Sequence, residues 1–312
     1  MPIATAPATS WKDDNRHVAI LRNAEAGRYG VIAATAYNIE QVLGLVRAAE
    51  TARSPLIIQF FPWAIEATNG LLVRAAADAA KRASVPISIH LDHAQSETII
   101  KRAAELPFDS IMVDMSHYEK EVNLKKTREL VRYCNEHQKA TEAEPGRIEG
   151  GEDGVMDTAG LEACMTTSEE VDEFVDTGVD VLAPSFGNVH GEYGSTGPQL
   201  DFERSVVRCE ITQRHSLTVT SIRFEKIRSQ ASGRVRLALH GTNGFAPELM
   251  KRCVAAGVSK INVNRLVLDD YYDHLRMNVD KMSHTQLIEE GIQKVAALTV
   301  KWMEICGSAG KA

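Results

Sequence analysis

The sequence predicts an α/β fold and, within that class, a (β/α)8 TIM barrel with extra C-terminal helices. Short runs of β-branched and aliphatic residues alternate with amphipathic helical segments, which is the pattern of repeated βα units. Eight such runs are present, at residues 31–37, 55–60, 85–92, 110–115, 139–144, 179–185, 234–240 and 259–264. A doubly wound open sheet is the alternative. It is less favoured because no GxGxxG motif follows the first run.

The chain is interpreted as a single domain over residues 1–312, with the barrel at about 28–275 and a C-terminal helical extension at about 266–305. The connection between the sixth and seventh runs is too long for one helix, and its centre has no helical period. Without residues 205–222, the segments LDFER and RFEKIRSQ join into an ordinary amphipathic helix. These residues are therefore predicted to be an insertion, for which a retained intron and a natural surface loop are both open explanations.

The composition argues against several classes of protein. Of the 312 residues, 44% are hydrophobic and 25% charged, and no apolar run approaches the ~20 residues that span a bilayer. A net charge of −7 without a basic block gives no footprint for nucleic acid. No secretory signal is visible, so a cytoplasmic protein is expected. The five cysteines form no CxxC pair, so a transition metal would have to use histidine.

Polar residues stand at the C-terminal ends of the predicted strands, where a barrel places its catalytic groups. Histidines occur at three of these ends, as His93, His190 and His240. A single histidine at such a place is more often structural, but three converging neutral imidazoles with an open fourth position are what a catalytic zinc requires. Nearby carboxylates could fix the ring tautomers. Spacing alone does not establish that the three rings meet.

Six motifs carry the interpretation further: SIHLDHAQ, IMVDMSH, EAEPGRIEGGEDGV, PSFGNVHGEYG, LALHGTNGF and KINVN. Taken in this order, they resemble the class II metal-dependent aldolases, the group of fructose-bisphosphate and tagatose-bisphosphate aldolases. The resemblance implies a Zn²⁺ ion held by His93, His190 and His240, with Asp92 as a catalytic residue.

The resemblance also assigns roles around this centre. Glu152, in the loop GGEDG, is assigned to proton transfer, and Asp114 and Glu144 to an alternative or second metal position. Whether a monovalent cation, Na⁺ or K⁺, assists phosphate binding as a further cofactor is left open by the sequence. The residues assigned to the substrate and its phosphate are Asn38, Gly191, Gly241, Asn243, Gly244, Asn262, Asn264 and Arg265.

The implied activity is that of a lyase of carbohydrate metabolism. It is reversible cleavage of a ketose phosphate, such as fructose 1,6-bisphosphate, to dihydroxyacetone phosphate and an aldehyde such as glyceraldehyde 3-phosphate. Such a reaction passes through an enediolate, whose negative oxygen zinc stabilises as a Lewis acid. Asp92 is expected to exchange a proton with the aldehyde oxygen, and Glu152 to remove the α-proton during condensation. The implied partners are a small phosphorylated sugar and further copies of the chain, in a homodimer or larger oligomer.

Some positions depart from the family pattern. Phe61 stands where a small hydroxyl residue is usual, and Pro145, Asn243 and Arg265 replace an aliphatic residue, a serine and a threonine. We expect metal-dependent aldol chemistry to survive, although the aldehyde need not be glyceraldehyde 3-phosphate.

Three alternative functions stay open: an aldolase for another ketose phosphate such as tagatose 1,6-bisphosphate, a non-catalytic homologue with a binding or regulatory role, and a metal hydrolase of the same barrel class. The hydrolase is least favoured because the first strand has no HxH pair.

Overall fold

The computed structural model of the chain describes residues 10–152, 155, 161, 164–195, 197–201 and 223–312. Eight parallel strands close into a barrel in sequence order, with the last strand paired to the first. The strands are β1 (Val31–Thr35), β2 (Leu56–Phe60), β3 (Ile87–Ala94), β4 (Ser110–Val113), β5 (Ala140–Ala143), β6 (Val181–Leu182), β7 (Arg236–Leu239) and β8 (Lys260–Val263). Each overlaps one of the predicted runs, and the predicted (β/α)8 barrel is confirmed.

Helices follow the strands around the outside of the barrel. In the described residues they are α1 (Trp11–Asp14), α2 (Arg16–Gly27), α3 (Ile39–Ala52), α4 (Pro62–Thr68), α5 (Leu71–Arg82), α6 (Glu97–Ala104), α7 (Lys120–Glu136), α8 (Ser168–Val175), α9 (Arg223–Ala231), α10 (Pro247–Ala255), α11 (Arg265–Asn278) and α12 (His284–Cys306). Polar N-cap residues begin several of them; the Ser96 hydroxyl, for example, accepts from the Ile99 N–H at 3.3 Å. None of these helices is both long and apolar enough to cross a bilayer.

The C-terminal helices α11 and α12 belong to the outer layer of the barrel. α12 packs against α3 so closely that a Cβ atom on Gly44 would lie 2.6 Å from Cβ of Val295. A Cβ atom on Gly291 of α12 would likewise meet the ring of Tyr271, on α11, at 3.0 Å. Glycine is therefore required at Gly44, whereas at Gly291 a larger residue would need the Tyr271 ring to move by a few tenths of an ångström.

Helix α2 lies against one end of the barrel interior, a role that the sequence did not reveal. Its buried residues Leu21 and Ala24 join an apolar cluster with interior residues such as Val31 and Ile57. Sequence analysis began the barrel at about residue 28 and assigned no element before it. The helix is only weakly amphipathic, so its apolar pattern does not distinguish it in the sequence.

The predicted insertion at residues 205–222 lies outside the described residues. Immediately after it, α9 forms at Arg223–Ala231, where the sequence predicted a helix leading to the seventh strand. Phe224 anchors α9, with its ring centroid 4.7 Å from that of Phe186, in the loop after β6.

Candidate active site

The three predicted histidines come together at the C-terminal mouth of the barrel. His93 lies at the end of β3, His190 in the loop after β6, and His240 directly after β7. The ring centroid of His93 is 4.7 Å from that of His190 and 4.9 Å from that of His240. All three residues are buried, and one ligand atom from each, together with one from Glu144, lie within 4.8 Å of one another.

A local irregularity in β3 brings His93 into this position. The pairing of β3 with β4 shifts register between Leu91 and Ala94, and His93 has a positive φ of 47°. A non-glycine residue in the left-handed region is uncommon, and such backbone conformations concentrate at functional sites. The shift allows the neighbouring residues Asp92 and His93 to face the same cavity, which a regular alternating strand would prevent.

Close backbone packing positions His190. Its N–H donates to the carbonyl of Glu149 at 2.8 Å. A Cβ atom on Gly150 would lie 2.2 Å from the carbonyl oxygen of His190, and one on Gly241 would lie 2.2 Å from that of Val189. The loops after β5, β6 and β7 therefore interlock, and only glycine fits at these two contacts.

Carboxylates fix the orientation of two of the rings. Nδ1 of His93 lies 2.8 Å from Asp114 Oδ2, and Nε2 of His240 lies 2.8 Å from Glu142 Oε1. These contacts leave Nε2 of His93 and Nδ1 of His240 facing each other across 3.1 Å. Nε2 of His190 is buried and has no hydrogen-bond partner among the described residues. Three imidazole nitrogens this close together fit a single divalent ion of the zinc type.

The two predicted acidic residues beside the histidines have different surroundings. Asp114 supports the His93 ring, and its other oxygen accepts from the N–H and hydroxyl groups of Ser116 at 3.0 and 2.7 Å. Glu144 accepts from the Ile148 N–H at 2.7 Å and belongs to the group of possible metal ligands. Burial and the charge of Asp114 raise the pKa of Glu144 to about 8. The alternative metal position predicted for these two residues stays a prediction.

Asp92 is held as an ionised carboxylate. Its Oδ2 atom accepts from Gln59 Nε2 and Asn262 Nδ2, both at 2.9 Å. Burial by itself raises the pKa of Asp92, but the charges of His93, which is protonated when no metal is bound, and of Lys260 outweigh it and hold the pKa well below its usual range. Oδ1 lies 3.7 Å from Nε2 of His90, and the side chain of Asp92 lines the cavity where a reactant would bind.

Glu152 lines the same cavity as Asp92 but has the opposite electrostatic character. Its carboxylate accepts from Asn264 Nδ2 at 2.9 Å. Burial raises the pKa of Glu152, and the charge of Asp92 adds to that effect. Two carboxyl groups in one cavity with pKa values moved in opposite directions are suited to acid and base roles.

Beneath the cavity lies a buried charged layer that sequence analysis did not identify. Nζ of Lys260 lies 2.9 Å from Glu142 Oε2 and 2.7 Å from Asn262 Oδ1. The rings of His17 and His90 stack beside it, with centroids 5.2 Å apart. His17, His90 and Glu142 also have ligand-type geometry, but the ammonium group of Lys260 already supplies the positive charge there, which argues against a second metal ion. In the sequence, this layer is indicated by Lys260, a lysine within the run predicted as the last strand.

The predicted phosphate-site residues separate into two sets. Those that line the cavity are Gly241, Asn243, Asn262 and Asn264. Those that do not line it are Asn38, Gly191, Gly244 and Arg265. In the second set, Asn38 caps α3 and donates to the hydroxyl of Tyr271 at 2.9 Å, whereas Gly191 and Gly244 supply positive φ angles of 81° and 71° in the loops above the cavity. Backbone N–H groups in such loops suit a phosphate.

Arg265 is engaged by acidic residues at the mouth. Its guanidinium contacts Glu192 at 2.8 Å and Asp269 at 2.9 Å, and its side chain is 52% exposed. We expect Arg265→Ala to change KM for a phosphorylated substrate by no more than about twofold, since exposed ion pairs contribute only ~0–1 kcal/mol. Steady-state kinetics of both proteins measure this. A rise in KM of about tenfold or more, as a direct phosphate contact worth ~1.5–3 kcal/mol would give, would assign Arg265 to the phosphate.

Comparison with known proteins places the chain in a family. Residues 15–311 match the family model for class II fructose-bisphosphate aldolase. The chain is 48% identical over 306 residues to a "Putative fructose-bisphosphate aldolase" of Coccidioides immitis, covering 96% of this chain and 95% of that protein. It is 30% identical over 304 residues to a fructose-bisphosphate aldolase of Thermus caldophilus, covering 94% and 98%.

Solved structures agree with the sequence comparisons. The crystal structure of the Coccidioides immitis protein superposes with a TM-score of 0.88 at 48% identity, covering 96% of this chain and 98% of that one. The YdjI aldolase of Escherichia coli K12 superposes with a TM-score of 0.77 at 28% identity, covering 95% and 98%. The chain therefore belongs to the class II fructose-bisphosphate aldolase family, which is a family of lyases.

Proposed function

We propose that this protein catalyses the reversible, zinc-dependent cleavage of a ketose phosphate to dihydroxyacetone phosphate and an aldehyde. The supporting observation is the convergence of His93, His190 and His240 in a buried cavity that also contains Asp92 and Glu152. A divalent ion held by neutral imidazoles keeps its charge and acts there as a Lewis acid toward substrate oxygens that become negative. Zinc is favoured because nitrogen donors predominate.

Asp92 and Glu152 supply the two proton transfers. In the cleavage direction, the ionised carboxylate of Asp92 takes the proton of the C4 hydroxyl, and the bond between C3 and C4 breaks. The bonding electrons stay with the dihydroxyacetone phosphate fragment, and C4 becomes the aldehyde carbon. Glu152, whose raised pKa lets it hold a proton, then protonates C3 of that fragment. Condensation reverses these steps, so no lysine Schiff base is needed.

The surrounding amides orient the two carboxyl groups. Asn262 bridges Asp92 and Lys260, and Asn264 holds the carboxylate of Glu152. These contacts hold the two carboxyl groups beside the cavity, and the loops after β7 and β8 are left to bind the phosphate of the ketose half.

Removal of the metal should abolish activity. We expect incubation with EDTA, followed by removal of the chelator, to lower turnover by at least about a hundredfold, because zinc contributes several kcal/mol to such a reaction. Added Zn²⁺ should restore it, whereas borohydride in the presence of substrate should have no effect. Turnover that survives EDTA, or is lost irreversibly on borohydride reduction, would contradict the proposal.

A half-reaction tests the same proposal without any assumption about the aldehyde. The zinc-loaded protein in ²H₂O should exchange the α-proton of dihydroxyacetone phosphate for deuterium, which NMR follows directly. A non-catalytic homologue would bind zinc and show no exchange above the rate without protein.

A further inference from the structure

We propose that the aldehyde half of the substrate carries an uncharged, apolar chain and not a phosphate, and that Phe61, Tyr37 and Trp63 select it. This proposal rests on the proposed aldolase function and names its substrate class. The three side chains are called the aromatic wall below. The ketose cleaved would then be a 1-phosphate with an apolar tail and not a bisphosphate.

Phe61 lies where the aldehyde must bind. It directly follows β2, two residues after Gln59, which holds Asp92 at 2.9 Å. The Phe61 ring lines the cavity, with its centroid 6.3 Å from that of His93 and only 3% of the residue exposed. Asp92 transfers the proton of the aldehyde oxygen, so the carbon chain attached to the carbonyl passes beside this ring.

Tyr37 and Trp63 extend this apolar surface toward solvent. The ring centroid of Tyr37 is 6.2 Å from those of Phe61 and Trp63. The Tyr37 hydroxyl accepts from Asn264 Nδ2 at 2.9 Å, which fixes the ring beside the loop after β8. Trp63 is 42% exposed, so its ring reaches the surface of the protein. The aromatic wall therefore runs from the metal ligands to the surface, and an apolar chain can lie along it.

Charge argues against a second phosphate at this position. Among the described residues that line the cavity, none is a lysine or an arginine, and both ionisable carboxyl groups of the mechanism are there. The guanidinium of Arg265 is held by Glu192 and Asp269, and the ammonium group of Lys260 lies beneath the cavity in contact with Glu142. The loops after β7 and β8 offer backbone N–H groups to the phosphate of the ketose half, whereas the ring of Phe61, which lines the cavity at the aromatic wall, offers a second phosphate no donor to replace its hydration.

The reaction balances with such an aldehyde. The new bond joins C3 of dihydroxyacetone phosphate to the carbonyl carbon, the α-proton goes to Glu152, and the carbonyl oxygen gains the proton carried by Asp92. No oxidant, reductant or further group is required, and the product is a ketose 1-phosphate.

The test is a competition between aldehydes. The zinc-loaded full chain is given dihydroxyacetone phosphate with either glyceraldehyde 3-phosphate or 3-phenylpropanal, and kcat/KM is measured for each. The readout is the ratio of the two kcat/KM values within one protein, because this ratio cancels any difference in the active fraction. We expect the unsubstituted protein to favour 3-phenylpropanal by about tenfold or more, since apolar contacts of this size discriminate on that scale.

Three variants locate the effect. Phe61→Ser should shift the ratio toward glyceraldehyde 3-phosphate by about tenfold or more, and Trp63→Ala should shift it in the same direction. Leu71→Ala removes a 69% exposed apolar side chain on the neighbouring helix and should leave the ratio unchanged. If Phe61→Ser does not fold, Phe61→Leu and Trp63→Ala still test the wall.

A preference of the unsubstituted protein for glyceraldehyde 3-phosphate would overturn this proposal, as would ratios that neither Phe61 nor Trp63 variants alter. Deuterium exchange into dihydroxyacetone phosphate shows which of the two proposals has failed. If exchange occurs but the protein prefers glyceraldehyde 3-phosphate, only the role of the aromatic wall in aldehyde selection is rejected. If no exchange occurs, the proposed aldolase function itself is rejected.

Discussion

Asp92→Asn should lower turnover by about 10²- to 10⁴-fold while the protein keeps its zinc, because the general acid and base on the aldehyde side is lost and no metal ligand is removed. Asparagine has the shape of aspartate and can still accept from Gln59 and Asn262, so the cavity should stay intact. Asp92→Ala should behave in the same way with a larger local disturbance. Zinc content by elemental analysis and the initial rate of cleavage measure the two quantities.

Glu152→Gln is the matched partner of Asp92→Asn. Both changes neutralise one carboxyl group of the same cavity, but Asp92 acts on the aldehyde oxygen and Glu152 on the α-proton. Deuterium exchange into dihydroxyacetone phosphate should therefore persist in Asp92→Asn and disappear in Glu152→Gln. Cleavage by Asp92→Asn at the parent rate, or identical exchange in the two variants, would show that the roles are wrongly assigned.

His190→Ala should lose both bound zinc and activity, with turnover reduced by about a thousandfold or more. The alanine removes one of three nitrogen donors, and the loss of a Lewis acid worth several kcal/mol corresponds to rate factors of this size. Dialysis against a weak chelator followed by metal analysis should show zinc retained by the parent protein and lost by the variant. The exposed His137, the C-cap residue of α7, provides the control: His137→Ala should retain zinc and full activity.

Full zinc retention with unchanged turnover in His190→Ala would remove this residue from the metal centre. Zinc retention with lost turnover would mean that His93, His240 and Glu144 suffice to hold the ion and that His190 acts otherwise.

Strand periodicity accounts for most of what could be predicted. Eight apolar runs fixed the number of strands, and a barrel of parallel strands necessarily gathers residues from their C-terminal ends, which is why His93 and His240 meet although they are distant in sequence. Strand periodicity does not predict the backbone conformation of His93. A strict alternation places Asp92 and His93 on opposite faces of β3, and only the register shift allows both to reach the cavity.

Other features depend on tertiary contacts that local sequence does not encode. The position of α2 depends on the barrel end that it covers. The burial of Lys260 depends on its ion pair with Glu142, which lies on a strand that is distant in sequence. Arg265 is assigned to the phosphate by its position in the motif beside the site, and that assignment stays a prediction. The acidic residues Glu192 and Asp269 that engage it come from another loop and from the next turn of α11.

Anomalous diffraction at the zinc absorption edge, from crystals of the zinc-loaded protein, tests the central claim most directly. We expect one strong peak at the barrel mouth, about 2.0–2.1 Å from Nε2 of His93, Nδ1 of His240 and a ring nitrogen of His190. A map with no peak among these three rings, or with its only peak beside His17 and His90, would contradict the account.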